Sequence, residues 1–452
     1  MNPSFSADSK VFIDFNLVGV SNFITNNYVY VNGGLNSINN AIQANQTVTE
    51  NYNTANAPYS VHQDFLLQGP SVSLSLGKLG LGLYSGARSA LSINGVPNHL
   101  ANHIRNGFDF GDQLGDEYTT NNLRVGALAW LEYGLNGSYI IKQEGRDMMT
   151  VGGTVKILNG LTGAGVIIQE WNYEVENDSL LNSLELRGKY GLHDIENSQQ
   201  PIGNGSGLGI DLGFNYKSMK KGNKGYLPHS KEGCRLQDYN YKFGVSLLDF
   251  GRIKFSDGIS REFNIQDSLE WQNYSGAQAG SIQSVDDLIE LELLTPDSLI
   301  TASTSSLSNE FKVLLPSALA FQFDYNIGNG FYGNATLVHG FNRKNKFGVE
   351  RSSILAVTPR FESKPVDVAV PIVLRNYESI RVGFSIRVYY LTIGSDNIFS
   401  LIGGENRETY GSDIYVNLKY SMFRPWYCSE SQARTKTGRR KKTKGGQPCP
   451  SW

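Results

Sequence analysis

The sequence predicts an all-β protein: a transmembrane, antiparallel, up-and-down β-barrel of about fourteen strands, with long extracellular loops carrying short helices. Three observations predict it. Stretches of alternating hydrophobicity recur along all 452 residues. The connections between them switch regularly between tight turns and long loops, as a barrel requires when its two rims face different compartments. The composition, with 49 Gly, 24 Tyr and 22 Phe against 5 Met, favours strands, turns and interfacial aromatics over helix bundles. No run of eighteen apolar residues occurs, which excludes a spanning helix.

Each strand follows a period of two. In 209–217, Ile210, Leu212, Phe214 and Tyr216 share one face while Asp211, Asn215 and Lys217 share the other. In 381–388, Val382, Phe384, Ile386 and Val388 oppose Arg381, Ser385 and Arg387; in the last strand Ile414, Val416, Leu418 and Tyr420 oppose Tyr415, Asn417 and Lys419. These patterns predict lipid-facing and lumen-facing sides. The expected strands are 10–20, 62–76, 79–92, 122–141, 148–158, 207–218, 239–255, 311–325, 330–341, 353–362, 366–375, 380–388, 391–399 and 411–422. The long connections are then 21–61, 93–121, 159–206, 256–310, 342–352 and 400–410, with a short one near 376–379. Tight turns fall at 77–78, 143–147, 326–329, 363–365 and 389–390, and a longer one at 219–238. An even strand number returns both ends of the barrel to the periplasm.

Three loop segments carry helical signals. Ser284 is placed to cap 285–294, Leu35, Ile38 and Ile42 are in phase over 35–43, and 98–106 is the third. Such helices would cover the mouth or fill it, predicting a lidded lumen rather than an open pore. Residues 423–452 hold eight Lys/Arg against one Glu, a net of +7, so that a total of −2 leaves −9 for the rest. The expected organisation is therefore a barrel over 1–422 and a basic periplasmic tail over 423–452. The opening Met1-Asn2-Pro3-Ser4-Phe5 has no basic segment followed by an apolar core, so the numbering is expected to start after a removed secretory signal.

Several motifs carry a family resemblance. Asn2-Pro3-Ser4-Phe5, Asn136-Gly137-Ser138-Tyr139 leading into 151–160, Gly209-Ile210-Asp211-Leu212-Gly213-Phe214-Asn215-Tyr216, Leu315-Pro316-Ser317-Ala318-Leu319, Thr358-Pro359-Arg360-Phe361-Glu362 and Gly394-Ser395-Asp396-Asn397 resemble a Bacteroidota outer-membrane β-barrel family of unknown function. More distantly the chain is similar to long-chain fatty-acid transporter barrels and to barrel subunits of type IX secretion. The motifs consist of Gly, Pro and Asp at turns and strand ends, so the resemblance implies a fold and an outer-membrane location, not an activity. Some relatives carry a periplasmic peptidoglycan-binding domain; here the basic tail stands in that place.

The inward-facing charges are Arg124, Glu132, Lys156, Asp211, Lys217, Lys242, Asp324, Arg360, Glu362, Arg381, Arg387 and Lys419, eight basic to four acidic. Charges of both signs are expected to pair across the lumen and fill it, because an isolated charge there must find a partner. A selective pore would show one sign in larger excess. His99 and His103, four apart in the predicted helix, have metal-ligand spacing but no Glu or Cys in step, so they read as a polar helix face. No local signature of a hydrolytic site appears, and neither catalysis nor a cofactor is expected.

All three cysteines, Cys234, Cys428 and Cys449, fall on the predicted periplasmic side. A Cys428–Cys449 bridge would close a loop around the tail, a bridge from Cys234 would instead pin the tail to the 219–238 turn, and the odd count leaves one thiol free or paired with another protein. The tail's Arg434, Lys436, Arg439, Arg440, Lys441, Lys442 and Lys444 lack interleaved aromatics, which with the periplasmic location argues against nucleic acid. Anionic head groups or an acidic envelope protein suit them better, and Trp452 could fill a partner pocket. Two functions follow. The leading one is a non-enzymatic scaffold or partner subunit of an envelope complex, as the type IX resemblance implies; the alternative is a transporter or gated channel for a small hydrophobic or amphipathic solute. Outer-membrane lipid is a partner in both.

Overall fold

The computed structural model describes residues 2–33, 50–55, 57–107, 111–177, 180–193, 205–220, 228–229, 238–256, 258–265, 269–272, 304–308, 310–341, 345–363, 365–402 and 407–422. Fourteen antiparallel staves form one wall. They are β1 (Ile13–Asn26), β2 (Tyr59–Gln68 continued by Ser71–Leu76), β3 (Leu79–Val96), β4 (Glu117–Glu144), β5 (Asp147–Val175), β6 (Leu180–His193 and Gly205–Met219) and β7 (Tyr239–Phe255, Ile259–Ile265 and Leu269–Gln272). The remainder are β8 (Thr304–Ser308, Phe311–Leu314 and Ala318–Gly328), β9 (Phe331–Gly340), β10 (Ile354–Glu362), β11 (Val366–Ala369 and Ile372–Arg375), β12 (Ser379–Val382 and Phe384–Val388), β13 (Leu391–Ser395) and β14 (Gly411–Met422). Consecutive staves pair, and β14 pairs back onto β1 from Ile13↔Met422 to Thr25↔Gly411, so closure removes both edges.

Alternation dictates which face meets lipid. Leu135, Ile157, Leu208, Leu212, Phe321, Val357 and Ile393 all stand outward and exposed, forming an apolar belt around the wall. Near the short turns the belt ends in exposed aromatics, Tyr139, Tyr325, Phe331, Tyr389, Tyr390 and Tyr420, the composition expected where a membrane meets water. The turns follow the sequence signals: Gly77 and Gly145 take φ +60° and +59°, conformations that a Cβ would strain.

The wall departs from expectation in length. β4 and β5 run 28 and 29 residues, where about 9–11 cross a bilayer. Much of 159–206 and part of 256–310, expected as loops, are therefore strand. These extensions have their own inward cores: Ile168, Leu186, Tyr190, Phe263 and Ile265 in one cluster, Tyr173, Val175 and Leu181 in another. At the other end of the sequence, the strand expected over 391–399 stops at Ser395 and gives way to a short helix, α2 (Ile398–Ile402). The helix expected at 98–106 is present as α1 (Asn98–Asn106); the candidates at 35–43 and 285–294 lie outside the described residues. A three-stranded sheet of Val29–Asn32, Glu50–Tyr52 and Glu408–Thr409 sits at the long-loop end.

Among the described residues, two chain segments occupy the lumen. Residues 2–12 enter at the short-turn end, where Asn2 caps a 3-10 turn, Pro3–Phe5, by accepting from Ser4 N at 3.0 Å. Glycines of four staves make room for it. A Cβ on Gly80 would lie 2.2 Å from Ala7 N, one on Gly152 2.6 Å from Pro3 O, one on Gly213 2.1 Å from Asn2 Oδ1 and one on Gly244 2.9 Å from Asn2 Nδ2. Residues 345–352 dip in from the long-loop side, with Phe347 and Val349 packed on Trp130, Phe255, Phe311 and Val313. Here too glycine permits the approach: a Cβ on Gly126 would meet Gly348 O at 2.2 Å.

Candidate functional site

The inserted segments and the wall meet through three groups of buried charge. At the short-turn end Asp8, whose side chain is fully buried, accepts from Lys217 Nζ at 2.6 Å and Asn215 Nδ2 at 3.0 Å and faces Lys242 at 3.6 Å. Lys242 also stands 3.5 Å from the centre of the Phe5 ring. Beside it Lys10 bridges Glu362 (3.3 Å) and Asp238 (3.5 Å), while Arg360 holds Asp324 (2.8 Å) and Glu362 (2.7 Å).

The middle group centres on Asp249. A bulge in β7 between Leu247 and Phe250, opposite Ile210–Leu212 of β6, and a φ of +51° turn this residue into the lumen. Its carboxylate takes Lys156 at 2.5 Å, Arg88 at 3.0 Å and Arg351 from the inserted loop, and its N–H donates to Asp211 at 2.7 Å. Lys156 also pairs with Asp211 at 2.8 Å, and Arg88 with Asp64 at 3.2 Å and Glu132 at 3.8 Å. Glu132 further accepts from Trp130 Nε1 at 3.1 Å. Such mutual satisfaction lets ions persist where water is scarce.

The third group is looser. Arg375 approaches Asp396 at 3.8 Å, and Arg381 donates to Thr25 Oγ1 at 2.5 Å. The other sequence-predicted charges are also placed inside or at the rims: Arg124 on Glu350 at 2.9 Å, Arg387 on Asp367 at 2.5 Å, Lys419 on Asp14 at 3.2 Å. All twelve therefore have a polar partner. Sequence reasoning missed Asp8, Arg88, Asp249, Arg351 and Arg375, the residues that join them. Asp249 follows Leu247 and Leu248 and lies out of phase until the bulge is known; Asp8 and Arg351 belong to segments that alternation cannot place.

The lumen is filled unevenly. Apolar side chains from β3, β4, β5, β7 and β8 close one half around Trp130 and Phe255. Along the other half lie adjoining cavities. One of about 290 Å³ is lined by Phe23, Ala90, Val338, Val349 and Ile354 together with Asp64, Arg88, Arg351 and Asp413. It shares His62, Glu350 and Arg351 with a second, of about 380 Å³, which opens toward Tyr59, Asn94 and Tyr377. A third, of about 240 Å³, is bounded by Asn26, Arg375, Arg381 and Tyr410 and shares Ser60, Asn376 and Glu378 with the second.

His99 and His103 do not converge on a common point as ligands. His99 Nε2 meets Thr120 Oγ1 at 3.1 Å, and His103 Nδ1 meets Tyr173 Oη at 3.1 Å. His103 is buried against Tyr118 and Tyr173, so this side of α1 is a docking surface and not the polar face expected. Among the described residues no group of three His, Cys, Asp or Glu side chains is arranged to hold a metal. Cys234, Cys428, Cys449 and the tail residues Arg434, Lys436, Arg439, Arg440, Lys441, Lys442, Lys444 and Trp452 lie outside the described residues.

A closed antiparallel wall with an apolar belt, an aromatic rim and a charge-lined interior defines a β-barrel of the outer-membrane type. The chain belongs to a family of unknown function, DUF5723, whose model matches residues 3–396. Among solved structures it is similar to the Pseudomonas putida toluene transporter TodX, at 10% identity over 93% of this chain and 92% of that one, with a TM-score of 0.39. A Pseudomonas aeruginosa FadL homologue is similar at 9% identity over 93% and 92%, with a TM-score of 0.27. The Ralstonia pickettii toluene transporter TbuX is similar at 9% over 93% and 92%, with a TM-score of 0.30. No curated protein matches the chain.

Proposed function

We propose that this protein is a gated outer-membrane conduit for a small amphipathic solute, with residues 2–12 as the gate. One observation carries the reading: the short-turn end is closed by a segment held through side-chain hydrogen bonds and ion pairs, and beyond it cavities continue along one side of the lumen. A barrel serving only as a rigid anchor gains nothing from that unevenness. The mixed lining of the 290 Å³ cavity, aliphatic beside charged, suits a solute with an apolar body and a polar end.

Beside the buried Asp8 ion pair and the packing of Ala7 on Ile140 and Met148, several of the gate's attachments are of a displaceable kind. Asn2 Nδ2 donates to Phe214 O (3.0 Å) and Val245 O (3.2 Å), and Ala7 N donates to Ser138 Oγ (2.7 Å). Water can replace each of these, whereas interlocked apolar side chains would resist withdrawal. Scaffolding through the basic tail, the leading expectation from sequence, rests on 423–452 and on the type IX resemblance, and the lumen geometry adds nothing to it.

The test is influx of a membrane-impermeant amphipathic dye into proteoliposomes, comparing the full chain with a variant lacking 2–10. Slow influx with the full chain and faster influx with the variant is expected. No influx above empty liposomes for either protein, with both barrels folded, would reject the conduit.

A further inference from the structure

The 240 Å³ cavity at the long-loop end is lined by three arginines. Its boundary combines amides, hydroxyls and the guanidinium groups of Arg375, Arg381 and Arg407 with the carboxylates of Glu378 and Glu408, so basic groups outnumber acidic ones by three to two, and the Tyr410 ring lies at one side. Three of the arginines are unequally engaged. Arg375 faces Asp396 and lies 3.8 Å from the Phe23 ring centre, and Arg407 stacks on Phe399 at 3.9 Å. Arg381 has no carboxylate within 4.0 Å among the described residues. It is 7% exposed, and among the described residues it donates to Thr25 Oγ1 alone and its Nη1 has no hydrogen-bond partner.

A buried guanidinium with no carboxylate in contact, only the more distant Asp413 acting on it, is costly unless an anion completes it. The neighbouring amide has compatible polarity: Asn376 spends its oxygen on Ser352 Oγ (2.8 Å) and Ser353 N (2.9 Å), which leaves its NH2 donors for another acceptor. The cavity therefore offers guanidinium and amide donors, with Glu378 and Glu408 as acceptors for hydroxyl groups. It is larger than a carboxylate alone needs and smaller than the roughly 300–1,000 Å³ typical of drug-sized ligands. An aromatic ring beside planar polar groups presents stacking and bidentate hydrogen bonding together, the pair of contacts that a ring bearing adjacent hydroxyls can use.

We propose that this cavity binds a monosaccharide-sized, polyhydroxylated carboxylate, a sugar acid, with the carboxylate on Arg381 and the ring against Tyr410. The site recognises its ligand whether or not the passage below conducts, so it stands independently of the gated-conduit reading. Because Arg381 and Tyr410 belong to β12 and to the loop before β14, they report separately on the anionic and the ring contact.

Isothermal titration of the full detergent-solubilised protein tests this with D-glucuronate, D-glucose and acetate. Glucuronate is expected to bind saturably, with glucose and acetate each weaker by about tenfold or more. R381Q should weaken glucuronate by about tenfold and leave glucose unchanged, while Y410A should weaken both sugars. Heat-modifiable migration on gels verifies that each variant is a folded barrel. Absence of saturable glucuronate binding, acetate binding as tight as glucuronate, or R381Q binding glucuronate like the parent would each overturn the assignment.

Discussion

Asp8 and Lys217 lie 209 residues apart and meet at 2.6 Å, with the Asp8 side chain entirely shielded from solvent. The contact fastens the inserted amino-terminal segment to the inner face of β6, and Lys242 of β7 shares the same carboxylate. Substituting Asp8→Asn keeps the shape and removes the charge, leaving two buried ammonium groups uncompensated. Breaking a buried pair from one side costs about 3–5 kcal/mol. We expect residues 2–12 to leave the lumen in D8N, read as new proteolytic cleavage ahead of β1, while the wall stays folded. A D8N protein as resistant at that segment as the parent would show that hydrogen bonds alone hold it.

Gly152 tests the same docking without touching charge. Its Cβ position falls 2.6 Å from Pro3 O and 2.6 Å from Ser4 Cα, both backbone, so neither can swing aside. The residue lies in β5, where a side chain is otherwise compatible with strand geometry. Gly152→Val is therefore expected to expel the Pro3–Phe5 turn and to increase dye influx as deletion of 2–10 does. Cleavage mapping distinguishes expulsion from misfolding, since misfolding would expose sites throughout the wall.

Much of this architecture was legible because alternation is a local property. Ile210, Leu212 and Leu418 stand outward and Asp211, Asn215 and Lys217 inward, as their phase predicts. The same rule fails where geometry is not local. Asp249 faces the lumen only because a bulge and a positive φ reset the phase, and nothing in its immediate sequence announces either. The strands beyond the belt fall in segments expected as loops, where Ile168, Tyr190 and Phe263 supply a core, assembled from separate staves, that lets pairing continue. The cavities depend on where residues 2–12 and 345–352 come to rest, and no periodicity encodes that.

Asp249 concentrates enough charge to make its removal measurable. Three cations converge on it, and its N–H is held by Asp211. Because φ is +51°, Asp249→Ala would mix backbone strain with charge loss; Asp249→Asn tolerates that conformation and isolates the charge. A loss of about 3–5 kcal/mol is expected, seen as a lower urea midpoint for unfolding in detergent. Since Arg351 ties the inserted 345–352 loop to this carboxylate, hydrogen exchange at Phe347 and Val349 should rise as well. An unchanged midpoint would mean that Asp211, Glu132 and Asp64 suffice to balance Arg88 and Lys156.

The docking of α1 should depend on pH. His103 is buried against Tyr118 and Tyr173, and burial, with a smaller contribution from His99 beside it, pushes its imidazole down to about 4 from the ordinary 6.5. The docked helix thus contains the neutral ring, while the undocked helix titrates near 6.5. Stability from this group is fully present above about pH 6.5 and is lost progressively as pH falls from there toward 4. Hydrogen exchange of residues 98–106 is expected to be slow at pH 7.5 and, after correction for intrinsic rates, markedly faster at pH 4.5. His103→Gln removes the titration and should flatten the dependence, although it loosens the helix at every pH. Retention of the full pH dependence in that variant would transfer the effect to His99, whose imidazole is also lowered by burial.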